Sequence, residues 1–289
     1  QTVNNNKVVV RSFADADAMG AAIDKGDIDV MTRTMSPAQI QKLDSGSDDN
    51  VDLVDMPGLE IRYLAFNTNA PTVKSKAVRQ AMAQVINRGE LVSKVYGTEA
   101  EPLYSLVPAT VTGHSNSFFN KYGNPSAAKA KNLLTKAGIT TPVKLTMHYT
   151  TDHYGTATKQ EFEVLQKQLN DSGLFDVTIQ GHPWDSFRPA EEKGQYDVYG
   201  MGWFPDFPDA DNFIAPFTGA HNALGTPYPA KDITARLLPH SRAQSDRAKT
   251  VGDMEQAQRI IAGDAQLLPL WQGRQYVAAS DDISGGEQA

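Results

Sequence analysis

Val143-Lys144-Leu145-Thr146-Met147-His148-Tyr149, then residues 156–172 with Phe162, Leu165 and Leu169, then Phe175-Asp176-Val177-Thr178-Ile179: this succession decides the fold. The first and last segments alternate in polarity, as strands do. The middle segment repeats its apolar residues at helical spacing and is closed by Gly173. A strand–helix–strand unit joins parallel neighbours, so a mostly parallel sheet is expected. The alternation continues with a helix over 184–193 and a strand over 197–203. Helices follow over 230–240 and 245–263, before a final strand, Leu268–Ala279. Alternating strands and helices place the chain in the α/β class.

Toward the N-terminus the elements are shorter. Residues 7–10 and 28–31 read as strands around a helical pattern over 15–25 that Gly26 stops. Ser36-Pro37 opens a helix through Leu43, since serine caps and proline fits the first turn. Residues 44–50 read as a loop, and 51–56 and 60–67 as strands. Ser75 is expected to cap a helix carrying Val78, Met82, Val85 and Ile86. Asn87 with Glu90 three residues on resembles a capping box for a helix ending at Gly97. Residues 98–123 read as an ordered loop, Asn124-Pro125 as the start of a helix ending at Gly138, and 281–289 as a polar tail that frays.

The chain has 289 residues, 40% hydrophobic and 21% charged, enough for a sizeable core. A net charge of −7 argues against nucleic-acid binding, which uses a basic face. No cysteine is present, which removes disulfides, thiolate metal sites and cysteine nucleophiles. No stretch reaches the ~18 apolar residues of a membrane helix. The first residue is Gln1 rather than Met, read as processing or cutting.

Signatures of catalysis are missing: no G-x-S-x-G, H-E-x-x-H, P-loop or G-x-G-x-x-G occurs. His148 and His153 are the nearest pair of histidines. Five positions apart on a strand they face opposite ways, so ordinary surface histidines are the preferred reading over metal ligands. One stretch stands out, Gly202-Trp203-Phe204-Pro205-Asp206-Phe207-Pro208-Asp209-Ala210-Asp211-Asn212-Phe213, because it follows a strand, where α/β proteins place binding loops. Calcium could use Asp209, Asp211 and Asn212, but the EF-hand spacing fails. Asp206 and Asp209 could act as paired carboxylates, with no support elsewhere on the chain. Thirdly, Asp206 beside Trp203 suits a cationic amine in an apolar cleft. Against this, the aromatic residues could be core, with Asp211 capping the next helix. That plain role is preferred for Asp211 and Asn212; for Trp203 and Asp206 composition leaves both readings open.

Several stretches, in order, resemble family 5 of the extracellular solute-binding proteins, the oligopeptide- and dipeptide-binding components of ABC importers. They are Ala22 to Val30, Tyr63 to Thr68, Val78 to Ala83, Ile86-Asn87-Arg88, Leu106-Val107-Pro108, Gly202-Trp203 through Phe213, Ala257-Gln258 and Leu268-Pro269-Leu270-Trp271. Asn87 stands where the family often has aspartate, and asparagine caps equally well. The resemblance is to the C-terminal part of the family. It implies a periplasmic-binding-protein-like fold of type II, of the cluster with an extra domain. An incomplete first lobe (1–72, with 269–289 returning to it) would accompany a second lobe (73–268) carrying half of the ligand cleft.

The resemblance further implies a bacterial, extracytoplasmic protein, periplasmic or anchored at the cell surface as a lipoprotein. It would be a monomer without cofactor or enzymatic activity. It would capture a small peptide between closing lobes and pass it to the membrane permease of the importer. Asp206 would pair with the peptide's α-amino group, Trp203 would line a side-chain pocket, and backbone near Gly202 and Phe204 would bond the peptide as an added strand. The family's other ligands, nickel complexes, oligosaccharides and opines, remain alternatives. So do a hydrolase using Asp206 and Asp209, and a signalling role.

Overall fold

The computed structural model describes residues 6–32, 35–46 and 50–283. Its strands are β1 (Val30–Thr32), β2 (Val51–Met56), β3 (Ile61–Phe66), β4 (Ala100–Pro102), β5 (Val143–Thr150), β6 (Phe175–His182), β7 (Val198–Trp203), β8 (Leu267–Gly273) and β9 (Gln275–Ser280). They form a three-stranded sheet, β1-β9-β2, and a six-stranded sheet, β4-β8-β3-β7-β5-β6.

The crossover is present as expected. β5 and β6 are parallel, from Val143 opposite Phe175 to Thr150 opposite His182. The helix joining them, Thr158–Asp171, buries Phe162, Leu165 and Leu169. β7 also runs parallel to β5. Beyond it the expectation of a mostly parallel sheet fails: β7–β3, β3–β8 and β8–β4 are all antiparallel. Strand direction there is set by long connections, on which local polarity carries no information. β3 lies inside this sheet and is buried at all six positions, as an apolar strand covered on both faces must be.

The final strand read as Leu268–Ala279 is two strands in two sheets, with Arg274 between them. Two compact units result, 57–274 and 1–56 with 275–289. The boundaries read from the sequence, 72/73 and 268/269, both fall within the larger unit, the first inside the helix Pro71–Lys74 and the second inside β8, which is hydrogen-bonded to β3 in its sheet. The smaller unit is held by Ile23, Met31, Leu43, Val51 and Ala278. Each large apolar side chain buried there contributes about 1.5–3 kcal/mol. β9 is its central strand, arriving from the far end of the chain. In the larger unit Gly58 meets Gly273 so closely that a Cβ on Gly58 would overlap the Gly273 carbonyl oxygen. The unit's first and last residues therefore touch.

Local signals were read with mixed success. Ser36 and Gln39 form a full capping box. Asn87 Oδ1 accepts from Glu90 N–H at 3.1 Å, but its own N–H donates to Gln168 Oε1 at 2.9 Å, so the reciprocal arm comes from a neighbouring helix. Ser75 occupies the N-cap position of Lys76–Val85 without a side-chain bond. The helix expected at Asn124-Pro125 starts at Ala127 under a Ser126 cap. The supposed loop 98–123 contains β4 and a helix, Ser117–Tyr122. Residues 7–10 form no strand, and Val8, Val9 and Val10 are exposed. Parts of two expected irregular stretches, 47–49 and 284–289, lie outside the described residues.

Candidate functional site

The carboxyl ends of β5, β6 and β7 carry the loops beginning at Thr151, Pro183 and Phe204. In α/β sheets that edge is where ligands bind. Gly202 and Trp203 are the last residues of β7, opposite Arg62 and Ile61 on β3. Trp203 is half-buried and meets Phe217 edge-on, with centroids 5.3 Å apart. Beyond the strand the chain turns outward: Phe204 is 42% and Phe207 51% exposed, and Asp206 between them is exposed. Pro205 and Pro208 remove two backbone donors and fix φ, so this projecting segment has little conformational freedom.

The acidic residues of the stretch are not equivalent. Arg247 grips Asp209 with Nε 2.6 Å from Oδ2 and Nη2 donating to Oδ1 at 2.7 Å. Arg242 grips Asp211 with Nε donating to Oδ2 at 2.7 Å and Nη2 to Oδ1 at 2.9 Å. Asn212 is buried, and its Oδ1 accepts from the backbone N–H of Asp206 at 3.0 Å. The oxygens that calcium would need are thus committed. Asp211 sits in the first turn of the helix Asp211–Ile214 but does not cap it; its N–H is taken by Asp209 Oδ1 at 2.8 Å. A hydrolase pairing Asp206 with Asp209 would have its second carboxylate clamped by a guanidinium. The Asp206 carboxylate itself has no hydrogen bond or ion pair among the described residues.

A ring of aromatic groups surrounds this edge. His153 stacks on Trp184 at 3.7 Å and 7°. Tyr154, next along, meets both rings edge-on and lies under the Arg62 guanidinium at 4.0 Å. Asp152 Oδ1 fixes the turn by accepting from Trp184 N–H at 2.7 Å. Partial desolvation, then Arg62, lowers the pKa of His153. Arg62, Tyr154 and Trp184 went unremarked in the sequence, and His153 was weighed only as a metal ligand, because nothing local joins a strand arginine to a loop far along the chain.

The histidine partners were not named in the sequence reading, which set His148 and His153 on opposite sides of a strand. His148 faces His182 rather than His153, with Nδ1 and Nε2 3.0 Å apart, and Tyr196 stacks on His148 at 4.1 Å. Burial, then His182, lowers the His148 pKa to about 4. His148 borders a groove of about 410 Å³ over β5 and β6, lined also by Thr72, Lys144, Asp176 and Asp197 among others. No residue of the Gly202–Phe213 stretch lines it. Among the described residues no cluster of three metal-ligating side chains occurs and no helix is long and apolar enough to cross a membrane.

Comparison with known proteins adds identity to this geometry. The chain is 26% identical over 280 residues to the dipeptide-binding protein of Escherichia coli strain K12, covering 94% of this chain and 50% of that protein. It is 26% identical over 261 residues to the periplasmic murein peptide-binding protein MppA of the same organism, covering 86% and 46%. Among solved structures, the dipeptide-binding protein from Pseudoalteromonas sp. SM9913 in complex with Met-Leu superposes with a TM-score of 0.80 at 25% identity, covering 94% of this chain and 53% of that one. The chain spans about half the length of these relatives. The family model for bacterial extracellular solute-binding proteins, family 5 Middle, matches residues 1–225, and the chain belongs to that family.

Proposed function

We propose that the protein is the extracytoplasmic solute-binding component of an ABC importer, that it captures small peptides, and that Gly202, Trp203, Phe204 and Asp206 form the half of the site borne by this chain. The observation that carries the reading is the division of charge after β7. Asp209 and Asp211 are neutralised by Arg247 and Arg242, whereas Asp206 stands exposed and unpaired between exposed phenylalanines. A carboxylate so placed suits a peptide α-amino group, and a charged hydrogen bond of this kind contributes about 1.5–3 kcal/mol. Relatives named for dipeptides and murein peptides speak for the same ligand class.

In this reading the peptide lies along the end of β7 with backbone bonds near Gly202 and Phe204, and Trp203 borders a side-chain pocket. The larger unit corresponds to most of the second lobe and the smaller one to part of the first. The protein acts as a monomer, without catalysis or cofactor, outside the cytoplasm, either periplasmic or held at the cell surface as a bacterial lipoprotein. It delivers its cargo to a membrane permease.

The test is native mass spectrometry of the full-length protein with a mixed peptide library, free and N-acetylated. Retention of free-amine peptides that is lost on Asp206→Asn and kept on Asp209→Asn supports the reading. Equal retention of acetylated peptides removes Asp206 from the site. Retention of no peptide overturns the peptide assignment and leaves the family's non-peptide ligands.

A further inference from the structure

We propose that Arg62 is a positioning residue for the Gly202–Phe204 segment, a buried cationic wedge that holds the end of β7 and the loop after β5 in the arrangement the ligand meets. The inference rests on the reading that this segment binds the ligand, and assigns a role to a residue outside it.

Arg62 lies on β3 directly opposite Gly202. Its side chain is only 9% exposed and its guanidinium is paired with Glu60. The same group lies 4.0 Å from the centroid of Tyr154, 5.2 Å from that of Trp271 and 5.6 Å from that of Phe204. One side chain therefore touches a strand neighbour on β8, the loop after β5 and the first residue beyond β7. Guanidinium suits such a place: it is planar, weakly hydrated, and stacks on aromatic faces while its edge satisfies a carboxylate. An ammonium at the end of a lysine stem would keep the charge and lose the plane.

Gly202 supplies the second, independent observation. Its φ lies outside the left-handed region, so its backbone does not require glycine. The requirement is room. A Cβ at Gly202 would overlap Arg62 Nη1 and stand 3.1 Å from Tyr154 Cε1. The small residue of the Gly-Trp pair is thus explained by the arginine passing over it. Gly200, two residues back, leaves room in the same way for the Phe162 ring, whose Cζ would be 2.5 Å from a Cβ there. The last strand before the binding segment is accordingly shaped by side chains inserted from its neighbours.

The test is a double-mutant cycle with two readouts on the full-length protein. The first is amide hydrogen exchange over residues 200–206 without ligand; the second is retention of a library of free-amine tripeptides. Arg62→Ala is expected to speed exchange in this segment at least about tenfold and to weaken tripeptide retention about tenfold, with Arg62→Lys recovering only part of either. Gly202→Ala alone is expected to act like Arg62→Ala, by pushing the guanidinium aside. In the Arg62→Ala background Gly202→Ala should add less than about twofold, since contacting residues couple. Unchanged exchange in Arg62→Ala, or strict additivity of the two substitutions, overturns the positioning role whatever the ligand. Faster exchange with unchanged tripeptide retention overturns instead the placement of the ligand at this segment. Should Arg62→Ala fail to fold, Gly202→Ala and Arg62→Lys carry the same comparison.

Discussion

The two halves of the Gly202–Phe213 stretch each combine proline, aspartate and phenylalanine, and they meet opposite fates. In the first half, Phe204, Asp206 and Phe207 face outward: the two phenylalanines are among the most exposed large apolar residues described, and the Asp206 carboxylate meets no partner among the described residues. In the second, Phe213 is fully buried and both aspartates are held by arginines from distant segments. The difference teaches that the second half is the anchor for the first. Asp209 closes the turn by accepting from Asp211 N–H, and Asn212 reaches back to bond the backbone of Asp206. Residue type alone does not separate a ligand group from a strut; what separates them is whether the rest of the chain has already satisfied the charge.

Substitutions can break or sharpen this contrast. The largest effect is expected from Asp206→Asn: peptide affinity falls about 10- to 100-fold by titration calorimetry, from the loss of a charged hydrogen bond, while the unfolding midpoint stays put. A fall in stability instead would make Asp206 another strut. Asn212→Ala comes next. It removes the bond to Asp206 N–H from a buried position, costs about 1–3 kcal/mol in denaturant unfolding, and weakens affinity by loosening the open half. Arg247→Ala leaves Asp209 without its partner and is expected to cost about 1 kcal/mol with affinity changed less than about twofold. Arg242→Ala removes the more exposed of the two pairs and is expected to cost about 0.5 kcal/mol, with binding untouched. Loss of binding in either arginine variant at full stability would erase the distinction between the halves.

The sequence disclosed those features that are short-range. The β5–helix–β6 crossover was legible because its hydrophobic period changes from two to 3.6 and back within one window. The Ser36 cap was legible because serine followed by proline is itself a local helix-start signal. The stretch after β7 was conspicuous by composition, yet its internal division was not, because the deciding partners, Arg242 and Arg247, lie about thirty to forty residues away and belong to a region read only as helices. Nor was the mixed character of the large sheet visible: β3 and β8 show the apolar runs of buried strands whichever way their neighbours run. Reading Leu268 to Ala279 as one strand passed over Gln272-Gly273-Arg274-Gln275, the polar interruption at which the chain changes sheet. Arg62 escaped notice because a lone arginine in an apolar strand has no local sign of the aromatic groups it will meet.

The meeting of Gly58 with Gly273 has a practical consequence. A stretch of chain whose two ends touch is a cassette: it can be cut out at both ends, joined end to end, or reopened at another loop without stretching its fold. Residues 57–274 form such a cassette, whereas the smaller unit takes β1 and β2 from before it and its central strand, β9, from after it. During synthesis the larger unit can therefore complete its core before β9 is available to the sheet of the smaller unit.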